Sequence, residues 1–231
     1  MGTDEKIAVF DFCETLISFQ TADAFLNYVY EKTHSPRMRL TDKALQLFYR
    51  LGLAKLLNRQ GFWEKRSLNK KWRLYALRGF DERKLKEWAH RFYEERLRPG
   101  IIKPVLTELQ AKKKAGYRIG IVSGGFDIYI DYFAADYGVD FVLASQIGFK
   151  RGVCTGRLVG PDCMREQKLV AIQELYPSPP VDSCSYSDSI SDLPILLWAT
   201  HGIVISKNKH QAWCEQYNFS EIIWEQEPAN S

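Results

Sequence analysis

Five short apolar runs rich in β-branched residues constrain this chain more than any other feature. They are IAVFDF (7–12), RIGIVS (118–123), DFVLAS (140–145), SCSYSD (183–188) and GIVIS (202–206). Several are apolar without alternation, the pattern of strands covered on both faces in a parallel sheet. Helical patterns lie between them. IIKPVLTELQAKKKAG places apolar residues at 102, 105, 106 and 109 and stops at Gly116, a helix-ending glycine. FDIYIDYFAADYG and EQKLVAIQELY follow the same style. This alternation predicts an α/β fold built on a doubly wound parallel sheet. SQIGFKRGVCTGRLVGP alternates around Lys150-Arg151-Gly152 and reads as a β-excursion off the sheet.

The stretch from about Ser18 to Pro99 carries no strand candidate. It reads as consecutive helices: TADAFLNYVYEKT, LTDKALQLFYRLGLAKLLNR (40–59), GFWEKRSLNKKWRLYALRG and DERKLKEWAHRFYEERL. Gly79 followed by Asp81 marks a helix stop and a new N-cap. The expected organisation is an α/β core domain of residues 1–17 and 100–231, with residues 18–99 inserted after the first strand as a helical-bundle cap. Such a lid over the C-terminal ends of parallel strands is placed to cover a ligand.

Composition narrows the function classes. A chain of 231 residues, 45% of them hydrophobic, suits one large domain or a domain with an insertion. The net charge of +4 is mild, with basic residues gathered between Lys55 and Arg98 and at Lys112, Lys113 and Lys114. That run is a solvated helix face, or else a positive surface over an anionic substrate or acidic membrane. No nucleic-acid fold signature accompanies it. Helix 40–59 is apolar and amphipathic, as a bundle core helix is, or as a surface meeting a lipid or an apolar substrate tail would be. Lys65, Arg66, Lys70, Lys71, Arg73 and Arg78 are candidates for a positive rim above a phosphate. Five cysteines without a C-x-x-C pair speak against a disulfide framework or a structural zinc site. No stretch approaches the ~20 apolar residues of a membrane span, and no signal peptide is evident, so a cytoplasmic location is expected.

Candidate site residues fall at strand ends and helix starts, where open α/β sheets build their sites. Asp11 closes the first run; Ser123, followed by Gly124 and Gly125, closes the second. Lys168 opens a helix after the β-excursion, and Asp188 and Asp192 follow the fourth run in YSDSISDLPIL. The set suits phosphoryl transfer. A strand-end carboxylate can attack phosphorus, a Ser hydroxyl and Gly-rich backbone N–H groups can hold phosphate oxygens, and a Lys neutralises the charge spread over them. Two further carboxylates beside Asp11 call for a cation, and hard oxygen ligands with phosphate favour Mg²⁺. Each residue alone could be a cap, a turn or a solvated position; their joint placement carries the argument.

The series hhhDxxxT, hhhSGG, a downstream Lys and SDSxxDLP resembles the haloacid dehalogenase (HAD) superfamily. The inserted helices, the hairpin, TGR (155–157) and the DLP ending look most like its phosphoserine-phosphatase-like branch, subfamily IB. The resemblance spans about residues 6 to 206 and implies a Rossmann-like HAD core with a helical cap. It implies that Asp11 is nucleophile and metal ligand, that Thr15 supports the loop after the strand, and that Ser123 and Lys168 hold the phosphoryl group. Asp188 would ligate Mg²⁺, Asp192 directly or through water, and position 13 would contribute its backbone carbonyl.

Two departures stand out. Family phosphatases carry an acid–base Asp where this chain has Cys13. A thiol, with a reference pKa of about 8.5 against about 3.9 for Asp, can donate a proton but is a poor base near neutrality. Loss of a positioned acid–base group typically costs ~10²–10⁴ in rate. The readings that follow are a Mg²⁺-dependent phosphohydrolase for leaving groups that need no proton, a slow ester phosphatase, or a phosphate-binding or regulatory protein. A phosphotransferase and a redox role for Cys13 are the remaining alternatives. The second departure is Gln20, where phosphoserine phosphatases carry a Glu that meets the substrate ammonium; Gln gives no such ion pair, which argues against phosphoserine.

Overall fold

The computed structural model describes residues 5–51 and 65–225. Its centre is a seven-stranded sheet in the order β4-β3-β2-β1-β5-β6-β7. The strands are β1 (Lys6–Phe10), β2 (Arg118–Phe126), β3 (Phe141–Lys150), β4 (Val153–Val159), β5 (Asp182–Ser187), β6 (His201–Lys207) and β7 (Ser220–Trp224). Every neighbouring pair is parallel except β3 and β4. All five expected strands form. β1 shows why its sequence is continuously apolar. Ile7 and Val9 pack with Val122, Ile172 and Ile195, while Ala8 and Phe10 join the larger cluster with Phe12, Phe126 and Phe133. Successive side chains point to opposite faces and both faces are covered.

The β-excursion is the β3–β4 hairpin. Arg151 and Gly152 at its tip both have positive φ, +54° and +75°, as a tight mirror-image turn between right-twisted strands requires. β7 goes beyond the expected set. It is a half-exposed edge strand beside β6, reached through a polar connection.

The described α-helices between β1 and Pro99 are α1 (Thr21–Thr33), α2 (Pro36–Arg50), α3 (Lys65–Tyr75) and α4 (Glu82–Phe92). α2 starts ahead of the expected Leu40 because Ser35-Pro36 opens it, with proline at the helix start. Residues 52–59 of that expected helix and 61–64 of the next lie outside the described residues. Asp81 caps α4 by accepting the Lys84 N–H at 3.0 Å, after Gly79 turns the chain at φ +92°. A π-helical turn (Tyr93–Leu97) and a 3₁₀ turn (Arg98–Gly100) lead to α5 (Lys103–Lys114) ahead of β2. Downstream come α6 (Asp127–Tyr137), α7 (Glu166–Leu175), α8 (Leu193–Trp198) and α9 (Trp213–Gln216).

The inserted helices share the core of the sheet. The ring of Phe25 of α1 meets Phe92 of α4 and Tyr129 of α6 in tilted contacts, with centroids 5.4 Å and 5.3 Å apart. The hairpin docks on the same helices: Gly79 N–H donates to the Cys154 carbonyl at 2.9 Å, and Cys154 N–H to the Phe80 carbonyl at 2.8 Å. No described helix is long and apolar enough to cross a membrane.

Candidate active site

β1 lies between β2 and β5, so the chain crosses from one half of the sheet to the other beside its C-terminal end. Asp11 is the first residue past β1; its N–H still donates to the Tyr186 carbonyl of β5 at 2.9 Å. Its buried Oδ1 accepts the Phe12 N–H at 2.6 Å and lies 2.9 Å from Lys168 Nζ. Lys168 projects from the first turn of α7 and is only 4% exposed. It also donates to Asp192 Oδ2 at 2.5 Å, the oxygen that accepts Ser187 Oγ–H at 2.6 Å. Asp188 stands apart from this trio. Its Oδ1 accepts the Thr15 hydroxyl and its N–H donates back to Thr15 Oγ1, both at 3.1 Å, so Thr15 fixes the loop after β5. Asp11, Cys13, Ser123, Gly124, Lys168, Asp188 and Asp192 all line one cavity of about 90 Å³.

Electrostatics in this cavity are unbalanced. Burial pushes the Asp11 carboxyl up; Lys168 opposes that and the like charge of Asp192 adds to it. Burial works to lower the Lys168 ammonium, but Asp11 and Asp192 outweigh it and hold its pKa above the ordinary value. Asp188 is pushed up to about 7 by burial first, then by Asp11 and Glu14. The carboxyls of Asp11, Asp188 and Asp192 therefore act on one another around Lys168, in a cavity that Lys70 and Arg165 also line, and a cation bound among them would relieve that repulsion. Among the described residues no three His, Cys, Asp or Glu side chains converge as a metal cage. Asp192 is turned to Lys168 and Ser187, while Asp11 and Asp188 line the cavity with carboxylate oxygens, the donor type a hard cation takes.

Cys13 is the buried end of a hydrogen-bond chain. Phe126 N–H donates to the Tyr129 hydroxyl at 2.9 Å, Tyr129 meets Thr21 Oγ1 at 2.7 Å, and Thr21 Oγ1 meets Cys13 Sγ at 3.0 Å. The fully buried Tyr129 hydroxyl already accepts a backbone N–H, and Thr21 is the acceptor the described residues offer for its own proton. Tyr129 therefore donates to Thr21, and between the Thr21 hydroxyl and the Cys13 thiol, which lines the cavity, either group can donate. Ser123 Oγ lies 4.0 Å away on that side. Burial, and then Asp11, push the thiol pKa up.

Gly124 and Gly125 need their lack of a side chain. A Cβ on Gly124 would sit 2.6 Å from Met164 Cγ, and one on Gly125 3.0 Å from Ile130 and 3.1 Å from Thr21 Oγ1. Of the candidate positive rim, Lys70 lines the cavity and its Nζ donates to the Gly124 carbonyl at 2.8 Å. Arg73 instead pairs with Asp23 at 2.9 Å and Asp42 at 3.0 Å. The side chains of Lys65 and Arg66 lie outside the described residues. Gln20 is on the cavity wall and donates to the Glu14 carboxylate. Sequence reasoning passed over Thr21, Tyr129, Met164 and Arg165, which carry no motif signal and reach the site only through the fold.

A family model for haloacid dehalogenase-like hydrolases matches residues 8–197, and the chain belongs to that family. Similar curated proteins include phosphoserine phosphatase SerB2 of Mycobacterium tuberculosis, 31% identical over 103 residues covering 43% of this chain and 25% of that protein. The phosphoserine phosphatase of Streptococcus thermophilus is 27% identical over 44% of this chain and 47% of its own length. That of Albidiferax ferrireducens is 27% identical over 209 residues, 84% of this chain and 76% of that one. The chain thus spans a quarter to about half of the first two relatives. Among solved structures, a Bordetella pertussis Tohama I protein of unknown function aligns with a TM-score of 0.76 at 19% identity, over 94% of this chain and 98% of its own. An apo phosphoserine phosphatase aligns at 0.57 and 20% identity, over 87% and 86%. These structures share the fold.

Proposed function

We propose that this chain is a Mg²⁺-dependent phosphatase that hydrolyses a phosphorylated small molecule through a covalent aspartyl-phosphate at Asp11. Residues 18–99 act as its cap, over a core of residues 1–17 and 100–231. The observation that carries this reading is the buried Asp11 carboxylate at the end of β1, 2.9 Å from Lys168, in a cavity shared with Ser123 and Asp188. In the first step an Asp11 oxygen attacks phosphorus and the leaving group departs with the electron pair of its P–O bond. Lys168 and the Ser123 hydroxyl hold the oxygens on which charge develops. In the second step water attacks the same phosphorus, freeing inorganic phosphate and the Asp11 carboxylate. When bound, Mg²⁺ supplies counter-charge to the carboxylates and to the transferring phosphoryl oxygens; Asp11, Asp188 and the Cys13 carbonyl would hold it.

Cys13 shapes the substrate class. With its pKa raised by burial and by Asp11, the thiol stays protonated, a weak acid for an alkoxide and a poor base for water. This favours acyl phosphates and anhydrides, whose leaving groups need no proton. Several relatives are named phosphoserine phosphatases, but Gln20, engaged with Glu14, offers no full charge of its own to a substrate ammonium.

Phosphate release with Mg²⁺ from acetyl phosphate, p-nitrophenyl phosphate and simple alkyl phosphates tests the proposal. Turnover of the good leaving groups is expected, abolished by Asp11→Asn, with alkyl esters improved ~10²–10⁴-fold by Cys13→Asp. No release from any of them, with or without Cys13→Asp, defeats it.

A further inference from the structure

Lys70 of α3 reaches the core side of the cavity and is 4% exposed. Its ammonium has three protons and three acceptors: the Gly124 carbonyl at 2.8 Å, Ser145 Oγ at 3.2 Å and Asp162 Oδ1. Ser145 is saturated as well. It accepts from Lys70 and from Cys163 N–H at 3.1 Å, and donates to Asp162 Oδ1 at 2.7 Å. With every proton of Lys70 committed, its role is to position other groups rather than to bind a phosphate oxygen itself.

What it positions is the peptide between Gly124 and Gly125. That unit is planar and trans, so its C=O and N–H point in opposite directions. Lys70 holds the C=O, and the N–H of Gly125 donates to Ser123 Oγ at 3.1 Å. With an acceptor site of Ser123 Oγ filled in this way, the hydroxyl proton is left to point at a phosphoryl oxygen. A Cβ on Gly125 would come within 3.1 Å of both Thr21 Oγ1 and the Tyr129 hydroxyl, so the glycine lies beside the hydrogen-bonded series that ends at Cys13.

We propose that Lys70 is a positioning residue that couples docking of helix α3 on the core to the orientation of the Ser123 hydroxyl. Its catalytic consequence rests on the phosphatase reading above; its effect on phosphate binding does not. The alternative is that Lys70 and Asp162 form a buried ion pair with a structural role only.

A mutant cycle read by binding of inorganic phosphate in the presence of Mg²⁺ separates the two. Lys70→Met should weaken phosphate binding about tenfold, the effect of one oriented hydrogen bond of about 1.4 kcal/mol. Because Met removes the ammonium beside the Asp162 carboxylate, Lys70→Met/Asp162→Asn is the companion variant: its Tm should recover towards that of the parent while the weakened binding persists. In a Ser123→Ala background, Lys70→Met should add less than a twofold further loss, since its effect runs through Ser123. Amide exchange at Gly125 should quicken in both Lys70 variants. Phosphate binding restored along with Tm in the companion variant, a second full tenfold loss in the Ser123→Ala background, or unchanged Gly125 exchange would each overturn the proposal. Should the parent protein bind phosphate yet release none from any substrate, the phosphatase reading falls while the cycle still decides the role of Lys70. Absence of phosphate binding by the parent refutes both.

Discussion

Lys168→Met tests the charge arrangement of the site most directly. The ammonium is buried between Asp11 at 2.9 Å and Asp192 at 2.5 Å, and methionine keeps most of the side-chain volume while removing the charge. Two carboxylates are then left buried without their cation. Breaking a buried pair by deleting one partner costs ~3–5 kcal/mol, because the stranded charge keeps its desolvation penalty. For a chain of this size each kcal/mol lowers Tm by about 2–4 °C, so the loss should be roughly 6–20 °C. The pH dependence has a defined sign. A carboxylate whose folded pKa is raised binds protons more tightly when folded, so its contribution is present below its unfolded pKa and lost as pH rises through the folded one. Burial already raises Asp11 with Lys168 present; without Lys168 that rise grows, and the deficit of the variant should shrink as pH falls from 8 to 5. Lys168→Met/Asp192→Asn should recover part of the loss at pH 8. Thermal melts of the three proteins in EDTA at pH 5 to 8 make the measurement. A Tm loss below about 2 °C, or a loss independent of pH, would refute the reasoning.

Asp188, raised to about 7 by burial and then by Asp11 and Glu14, should make the metal-free protein lose stability as pH rises from about 4 through 7. Mg²⁺ should raise Tm most at the upper end of that window, and a flat Tm profile with and without Mg²⁺ would contradict the assignment. Gly120→Ala drives a Cβ into the Phe141 ring inside the sheet layer, so urea denaturation should show a loss of ~1–3 kcal/mol, and unchanged stability would contradict that packing. Asp81→Ala removes the acceptor of the Lys84 N–H at the start of α4 and should cost ~0.5–2 kcal/mol by the same assay; Asp81→Ser should retain most of it.

The fold was legible where burial is two-sided. β1, β2 and β6 are continuous apolar runs because both faces are covered, and that pattern survives without knowledge of the partners. β7 is an edge strand with mixed exposure, and its five residues carry too little periodicity to stand out. The site was legible because Asp11 and Asp188 follow strands and Lys168 and Asp192 stand at helix starts; Ser123, expected to close its run, instead lies within β2, where the pairing with β3 slips between Ser123 and Phe126 and the strand continues through Gly124 and Gly125. Pairings were not legible. That Lys168 bridges Asp11 and Asp192 while Asp188 turns to Thr15 depends on side-chain directions that no periodicity encodes. Lys70 is one lysine in the basic run KRSLNKKWR, and only packing of α3 on the core distinguishes it from Lys71 beside it.

Cys13 shows how local wiring and site charge jointly limit chemistry. Its neighbours form a hydrogen-bonded series, Phe126 to Tyr129 to Thr21 to sulfur, that holds the thiol at the cavity wall. An acceptor thiolate at that position would be well served by Thr21, but burial and then the Asp11 carboxylate raise the thiol pKa and oppose its formation. The two influences have different consequences for the two steps of an aspartyl-phosphate reaction. Expulsion of an alkoxide can draw on a weak acid, since the alkoxide is by far the stronger base. Activation of water for the second step needs a base, and the thiol supplies one only in the moment after it has given up its proton. A leaving group that takes no proton therefore speeds the first step and leaves the second without a base, so phosphoenzyme should accumulate on acetyl phosphate and its hydrolysis should limit turnover. Under the proposed mechanism Cys13→Asp, which places a carboxylate base beside Asp11, should then quicken steady turnover more than it quickens the first burst.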